Sequence, residues 1–133
     1  MPKYLELEDV LFLHEQVMQR LGSSPQPLVR PESCLSALDR PRWMAQYERA
    51  DIIQQAACLS IGMVRAHAFV DGNKRTAFQC LIVFLRMNGF ALVGKAVNLG
   101  LSELLEQLAH PDVGDDEADL RLEEWVRTRV VPL

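Results

Sequence analysis

The sequence predicts an all-α domain of about six or seven helices packed compactly around a central pair, with residues 1–133 forming one unit. Three observations predict it. Apolar residues recur every three or four positions in several separate segments, which is the spacing of one-sided helices. No segment sustains the period-two alternation of a half-buried strand. Helix start and stop residues, such as Asp51, Gly22 and Gly89, stand where those segments begin and end.

Taken in order, residues 7–21 place Leu7, Val10, Leu11, His14, Val17, Met18 and Leu21 on one side of a helix that Gly22 stops. Residues 23–31, with three prolines and a Ser-Ser pair, read as an ordered loop within the domain. A short helix follows over 31–38, with Leu35 and Leu38 inward, and Pro41 ends it. Residues 42–49 interleave Trp43, Met44 and Tyr47 with charged residues and are expected to form an irregular arm, with at most a little strand. Asp51 then caps a helix running to about His67, rich in Ile53, Ala56, Ala57, Leu59, Ile61 and Val64. A second helix begins near Asn73 and ends at Asn88-Gly89, with Phe90 supplying the apolar contact that accompanies a left-handed stop. Between Ala77 and Met87 it is apolar nearly all round, as a buried helix is. Asn98 or Ser102 opens the next helix, through Leu101, Leu104, Leu105 and Leu108. A last helix carries Leu120, Leu122, Trp125, Val126 and Val130, acidic early and basic late in accord with the helix dipole.

Composition narrows the function classes. The 49% hydrophobic and 24% charged content is that of an ordinary globular domain. With a net charge of −4, the chain lacks the broad basic footprint of a nucleic-acid binder, so any anion must be gripped locally. Cys34, Cys58 and Cys80 are odd in number and widely spaced, which suits buried reduced thiols in a cytoplasmic protein. His14, His67 and His110 show no metal-ligand spacing. The first residues do not have the form of a signal peptide, and the longest apolar run is too short to cross a membrane.

The chemistry concentrates in the loop between the two central helices, His67 to Ala77. The N-terminal N–H groups of the second helix have no intrahelical partners and carry partial positive charge, which favours an anion. Lys74 and Arg75 add two cations in the first turn, where the dipole disfavours them. Stability alone would place Asp or Glu there, whereas a polyphosphate would call for Lys or Arg. Gly72 lets backbone approach a ligand closely, and Asn73 can offer its amide or cap the helix. His67 is the residue type suited to a general base near neutral pH. Asp71, in the turn, can hold Mg²⁺ together with phosphate oxygens, and Phe69 is expected to anchor the loop in the core. Together these describe phosphoryl or nucleotidyl transfer to a hydroxyl. Blander readings stand beside this one: Asp71-Gly72-Asn73 as an ordinary turn, His67 as a helix cap, and Lys74 and Arg75 as solvated charges.

The run His67-x-Phe69-x-Asp71-Gly72-Asn73-Lys74-Arg75-Thr76-Ala77 resembles the signature of the Fic/Doc superfamily, and within it the death-on-curing (Doc) toxin branch. Glu8-Asp-Val-Leu-x-x-His14, Glu32-x-x-Leu-x-x-Ala-Leu38 and Phe84-Leu-x-x-Asn-Gly89 are similar to that branch too, so nearly the whole chain is covered. The resemblance implies a Fic-type helical domain and a toxin restrained by a Phd-like antitoxin. It implies a kinase that uses ATP and Mg²⁺ to phosphorylate a threonine of translation elongation factor Tu. On this sequence the implied base is His67, the Mg²⁺-associated residue Asp71, and the phosphate grip Asn73, Lys74 and Arg75, with Gly72 and Thr76 completing the nucleotide site.

Adenylylating Fic enzymes carry a second glycine after the asparagine and an arginine at the motif's end, where this chain has Lys74 and Phe78. Those departures set phosphate transfer ahead of AMP transfer, with a catalytically silent binding module as a third reading. Ser102-Glu-Leu-Leu-Glu106-Gln107 comes close to a self-inhibiting Fic helix, but its leucines read as a core-facing helix and inhibition is expected in trans. Trp43 and Tyr47 are read as core aromatics; the alternative is that their arm guides the target segment, as flaps do in related Fic proteins.

Overall fold

A computed structural model describes residues 1–94 and 97–133, and of 97 and 98 only their place in a helix. Among the described residues six helices follow in order: α1 (Leu7–Arg20), α2 (Pro31–Glu48), α3 (Ile52–Ala66), α4 (Asn73–Met87), α5 (Val97–Leu108) and α6 (Asp115–Arg127). Two short strands, β1 (Phe90–Leu92) and β2 (Val130–Pro132), pair antiparallel with Ala91 opposite Val131. The all-α expectation holds apart from this ribbon.

The central pair is α3 and α4. α3 packs against α2, α4 and α6, while α4 also meets α1, α5 and β1. Leu59 and Ile61 of α3 and Leu81, Phe84 and Leu85 of α4 are fully buried, each contributing about 1.5–3 kcal/mol through removal from water. The Ser60 hydroxyl donates to the Ala77 carbonyl at 2.9 Å, tying the two helices together beside the loop that joins them. Asp51 caps α3 as expected: its carboxylate accepts the Gln54 N–H at 2.9 Å and Gln54 Oε1 accepts the Asp51 N–H at 2.8 Å. All three cysteines are free and buried, and burial pushes the Cys58 and Cys80 thiols up to about 12. No helix among the described residues is long and apolar enough to cross a membrane.

Several expectations change. The arm at 42–49 is helical: α2 runs unbroken to Glu48 with Pro41 inside it. Proline removes one donor from the ladder, yet the buried stripe Cys34, Ala37, Leu38, Pro41 keeps helical phase through it, and tertiary packing outweighs local propensity. Leu35 lies outside that stripe and is exposed, as is Leu11 on α1. Trp43 and Tyr47, 52% and 64% exposed, meet one turn apart with their rings tilted by 42° and belong to no core. Leu120 is also exposed, and Val130 leaves α6 to pair in β2. α4 is not buried on every side, since Arg75 and Arg86 are exposed and Phe78, Ile82 and Val83 are half-buried. α5 begins before Ser102, and a capping role for the Asn98 side chain lies outside the described residues.

Candidate active site

Residues 67–72 turn the chain from the end of α3 into the start of α4. His67 closes α3 in the left-handed region (φ 45°), so the helix stops and the imidazole stands exposed at the loop's edge. Phe69 is buried, as expected. The side-chain amide of Asn73 spans the peptide groups of Phe69, donating to its carbonyl at 2.7 Å and accepting its N–H at 3.0 Å. Asn73 is thus the staple that closes the loop rather than a free amide. The Asp71 carboxylate accepts the Gly72 N–H at 2.8 Å and remains exposed to solvent.

Gly72 takes φ 82°, and a Cβ there would lie 2.8 Å from Met18 Sδ and 3.2 Å from His14 Cε1. Glycine therefore suits both the left-handed backbone and the close packing against α1, the second a reason the sequence did not show. Beyond it, the N–H groups of Asn73, Lys74 and Arg75 have no backbone acceptor among the described residues, and the first such bond is Thr76 N–H to the Gly72 carbonyl at 2.9 Å. Three orphan donors at the positive end of a 15-residue helix are an arrangement chemically suited to an anion. Lys74 and Arg75 are exposed around it.

Lys74 Nζ reaches Glu106 of α5 at 3.7 Å, with both side chains well exposed. The segment containing Glu106 buries Leu101, Leu105 and Leu108, as a core-facing helix should, while Glu106 itself faces the site. Arg75 lines a cavity of about 210 Å³ with Val17 and Arg20 of α1, Phe78, Gln79 and Ser102. Neither Arg75 nor Arg20 forms an ion pair among the described residues, so two guanidinium groups border one cleft beside the helix start. Thr76 differs from its neighbours: it is buried and bonds to His14 Nδ1 at 3.2 Å, facing inward.

The strand-like edge beside the loop comes from residues 28–30 and not from Trp43 and Tyr47. Leu28 bridges antiparallel to Phe69, the Val29 N–H donates to the Ala68 carbonyl at 2.7 Å, and the Arg30 guanidinium donates to the His67 carbonyl at 2.9 Å. The cleft that Trp43 lines is bordered by Arg40, Met44, Glu48, Asp116 and Asp119, none of them from the loop. His67, Asp71, Gly72, Asn73, Lys74 and Arg75 thus share one turn and one helix start. No group of three or more His, Cys, Asp or Glu able to hold a metal by themselves occurs among the described residues. Asp71 alone suits a Mg²⁺ that brings its other ligands from water and phosphate.

The family model for the Fic/DOC family matches residues 4–85, a span that includes α1, the whole loop and most of α4. The chain belongs to the Fic/Doc family. Among curated Fic/Doc proteins it is 31% identical over 118 residues to "Toxin Doc" of Mycolicibacterium smegmatis, covering 84% of this chain and 85% of that one. It is 30% identical over 88 residues to "Protein kinase doc" of Escherichia phage P1, covering 65% of this chain and 69% of that one.

Sequence reasoning missed four contributors: His14, Arg20, Arg30 and Glu106. His14 left a signal as an imidazole set in an otherwise apolar stripe of α1, and Glu106 stood in the Ser102–Gln107 segment read as a core-facing helix. The others are brought in by tertiary packing.

Proposed function

We propose that this protein is a Doc-type toxin that transfers the γ-phosphate of ATP to a threonine hydroxyl of translation elongation factor Tu. The observation that supports it most is the head of α4, where three N–H groups without backbone acceptors share the first turn with the exposed Lys74 and Arg75, one short loop away from the exposed His67. In this reading Arg75 and Lys74 hold the polyphosphate with those N–H groups, while Gly72 and Asn73 fix the backbone that presents them. Asp71 would hold Mg²⁺, which neutralises phosphate charge when bound. His67 takes the proton of the threonine hydroxyl as its oxygen bonds to the γ-phosphorus, and the bond from that phosphorus to the β–γ bridging oxygen breaks to release ADP.

Phosphate transfer ranks ahead of AMP transfer because Lys74 stands at the helix start and the apolar Phe78, not a third cation, faces the cleft with Arg20 and Arg75. A Phd-like antitoxin is the partner this reading implies, and the cytoplasm its place of action. The relatives named a toxin and a protein kinase support both halves of the proposal. Intact-mass measurement of elongation factor Tu incubated with the protein and MgATP tests it. A phosphate-sized increment lost in His67→Ala is the expected outcome; an AMP-sized increment refutes the kinase reading. Growth arrest on expression that persists unchanged in His67→Ala would instead favour a module acting by binding alone.

A further inference from the structure

We propose that His14 is a positioning residue: its imidazole clamps the loop from Phe69 to Thr76 and so holds the free N–H groups at the head of α4 in their anion-facing arrangement. What the loop grips rests on the nucleotide reading above; the clamp itself does not. His14 is 2% exposed, and its ring lies parallel to Phe69 (4° between planes) with centroids 3.6 Å apart. Nδ1 stands 3.2 Å from Thr76 Oγ1 on α4, and Nε2 stands 3.3 Å from the Gln26 backbone nitrogen in the segment joining α1 to α2. A Cβ built on Gly72 would come within 3.2 Å of Cε1 and 3.4 Å of Nδ1. One side chain therefore meets the loop at Phe69 and Gly72, the helix it feeds at Thr76, and the neighbouring segment at Gln26.

The hydrogen bonds fix the tautomer. Gln26 offers only a backbone N–H, so Nε2 must present its lone pair, and the ring proton sits on Nδ1 for donation to Thr76 Oγ1. A proton added to Nε2 would face another donor. Burial pushes the His14 pKa down against the opposing pull of Asp71, the charged group acting on it from the loop. No other side chain reproduces this set. Phenylalanine keeps the stacked face and loses both bonds; asparagine can keep the Thr76 arm; glutamine can reach Gln26.

The test uses the full chain and two readouts, amide hydrogen exchange and calorimetric MgATP binding. In folded His14→Phe, the hydrogen-bonded amides of Phe69 and Thr76 are expected to exchange about tenfold faster while those of α3 stay protected, and the MgATP Kd to rise about tenfold. His14→Asn is expected to recover part of both losses. Nitrogen NMR of the wild-type ring should show Nδ1 protonated and Nε2 bare. Wild-type exchange and affinity in a folded His14→Phe protein, or the opposite tautomer, would overturn the proposal. If His14→Phe does not fold, Thr76→Val removes one arm alone and is judged by the same readouts. If the wild-type protein binds no MgATP, the nucleotide reading fails, and the exchange data still decide the clamp.

Discussion

Replacing Gly72 by alanine tests the packing of the loop against α1 in a single atom. Two effects oppose the new methyl group. At φ 82° a residue with a Cβ sits in the left-handed region, at a cost of about 1–2 kcal/mol. The Cβ also arrives 2.8 Å from Met18 Sδ and 3.2 Å from His14 Cε1, both in fully packed surroundings, and overpacking of this kind costs about 1–3 kcal/mol. The sum is about 2–5 kcal/mol, measured as a lower midpoint with unchanged slope in urea unfolding. At roughly 4 °C per kcal/mol for a domain of this length, the melting temperature falls by about 8–20 °C. The Met18→Ala background separates the two effects. There the Sδ contact is gone, so the added cost of Gly72→Ala shrinks toward the conformational part, and the double-mutant cycle shows coupling of about 1 kcal/mol or more. A Gly72→Ala cost below about 0.5 kcal/mol, or no coupling to Met18, would refute this account of why the position is glycine.

The remaining predictions concern charge. Glu106→Gln releases Lys74 from an exposed pair that contributes about 0–1 kcal/mol, so thermal stability should hardly change while MgATP affinity rises about two- to fivefold by calorimetry; weaker binding would contradict the placement of Lys74. Lys74→Glu should reduce MgATP affinity more than tenfold with a change in stability within about 0.5 kcal/mol; equal loss of melting temperature with unchanged affinity would count against the site. At Asp51 burial works to raise the carboxyl pKa, but the Gln54 N–H and Arg127 hold it below its ordinary value. A carboxylate depressed in the folded state contributes stability above its unfolded pKa of about 3.9, and that contribution is lost as pH falls through the folded value. Arg127→Met should therefore lower stability at neutral pH by under about 1 kcal/mol, and the gap to wild type should close below about pH 4. A gap constant from pH 7 to pH 3 would mean that Arg127 acts through packing alone.

What the sequence revealed and what it hid divide along a physical line. Local patterns that dominate their own energetics were legible: the Asp51 cap, the stop at Gly89 and the loop between α3 and α4 all stand where residue type places them. The helix over 31–48 was not, because Pro41 signals a break and only packing against α3 shows that the stripe through it continues. The strand at Val130–Pro132 was hidden for a similar reason, since three residues carry no period and their partner lies forty positions away. Within the site, Lys74 and Arg75 were conspicuous as charges set against the helix dipole. At Gly72 the need for backbone freedom was legible, but the close packing of that position against Met18 and His14 was not. Asn73 and Thr76 share the motif with the exposed Lys74 and Arg75, yet their side chains serve the loop. A motif records which residue types a site needs and not which way each one points.

The central claim is that the head of α4 directs a γ-phosphate toward His67. The most direct measurement incubates the protein with bacterial extract and ATP labelled either in the γ- or in the α-phosphate, alongside His67→Ala. Label from γ-ATP alone should enter one protein, at a threonine, and disappear in the variant. Label from α-ATP in that protein, or γ-label that survives His67→Ala, would contradict it.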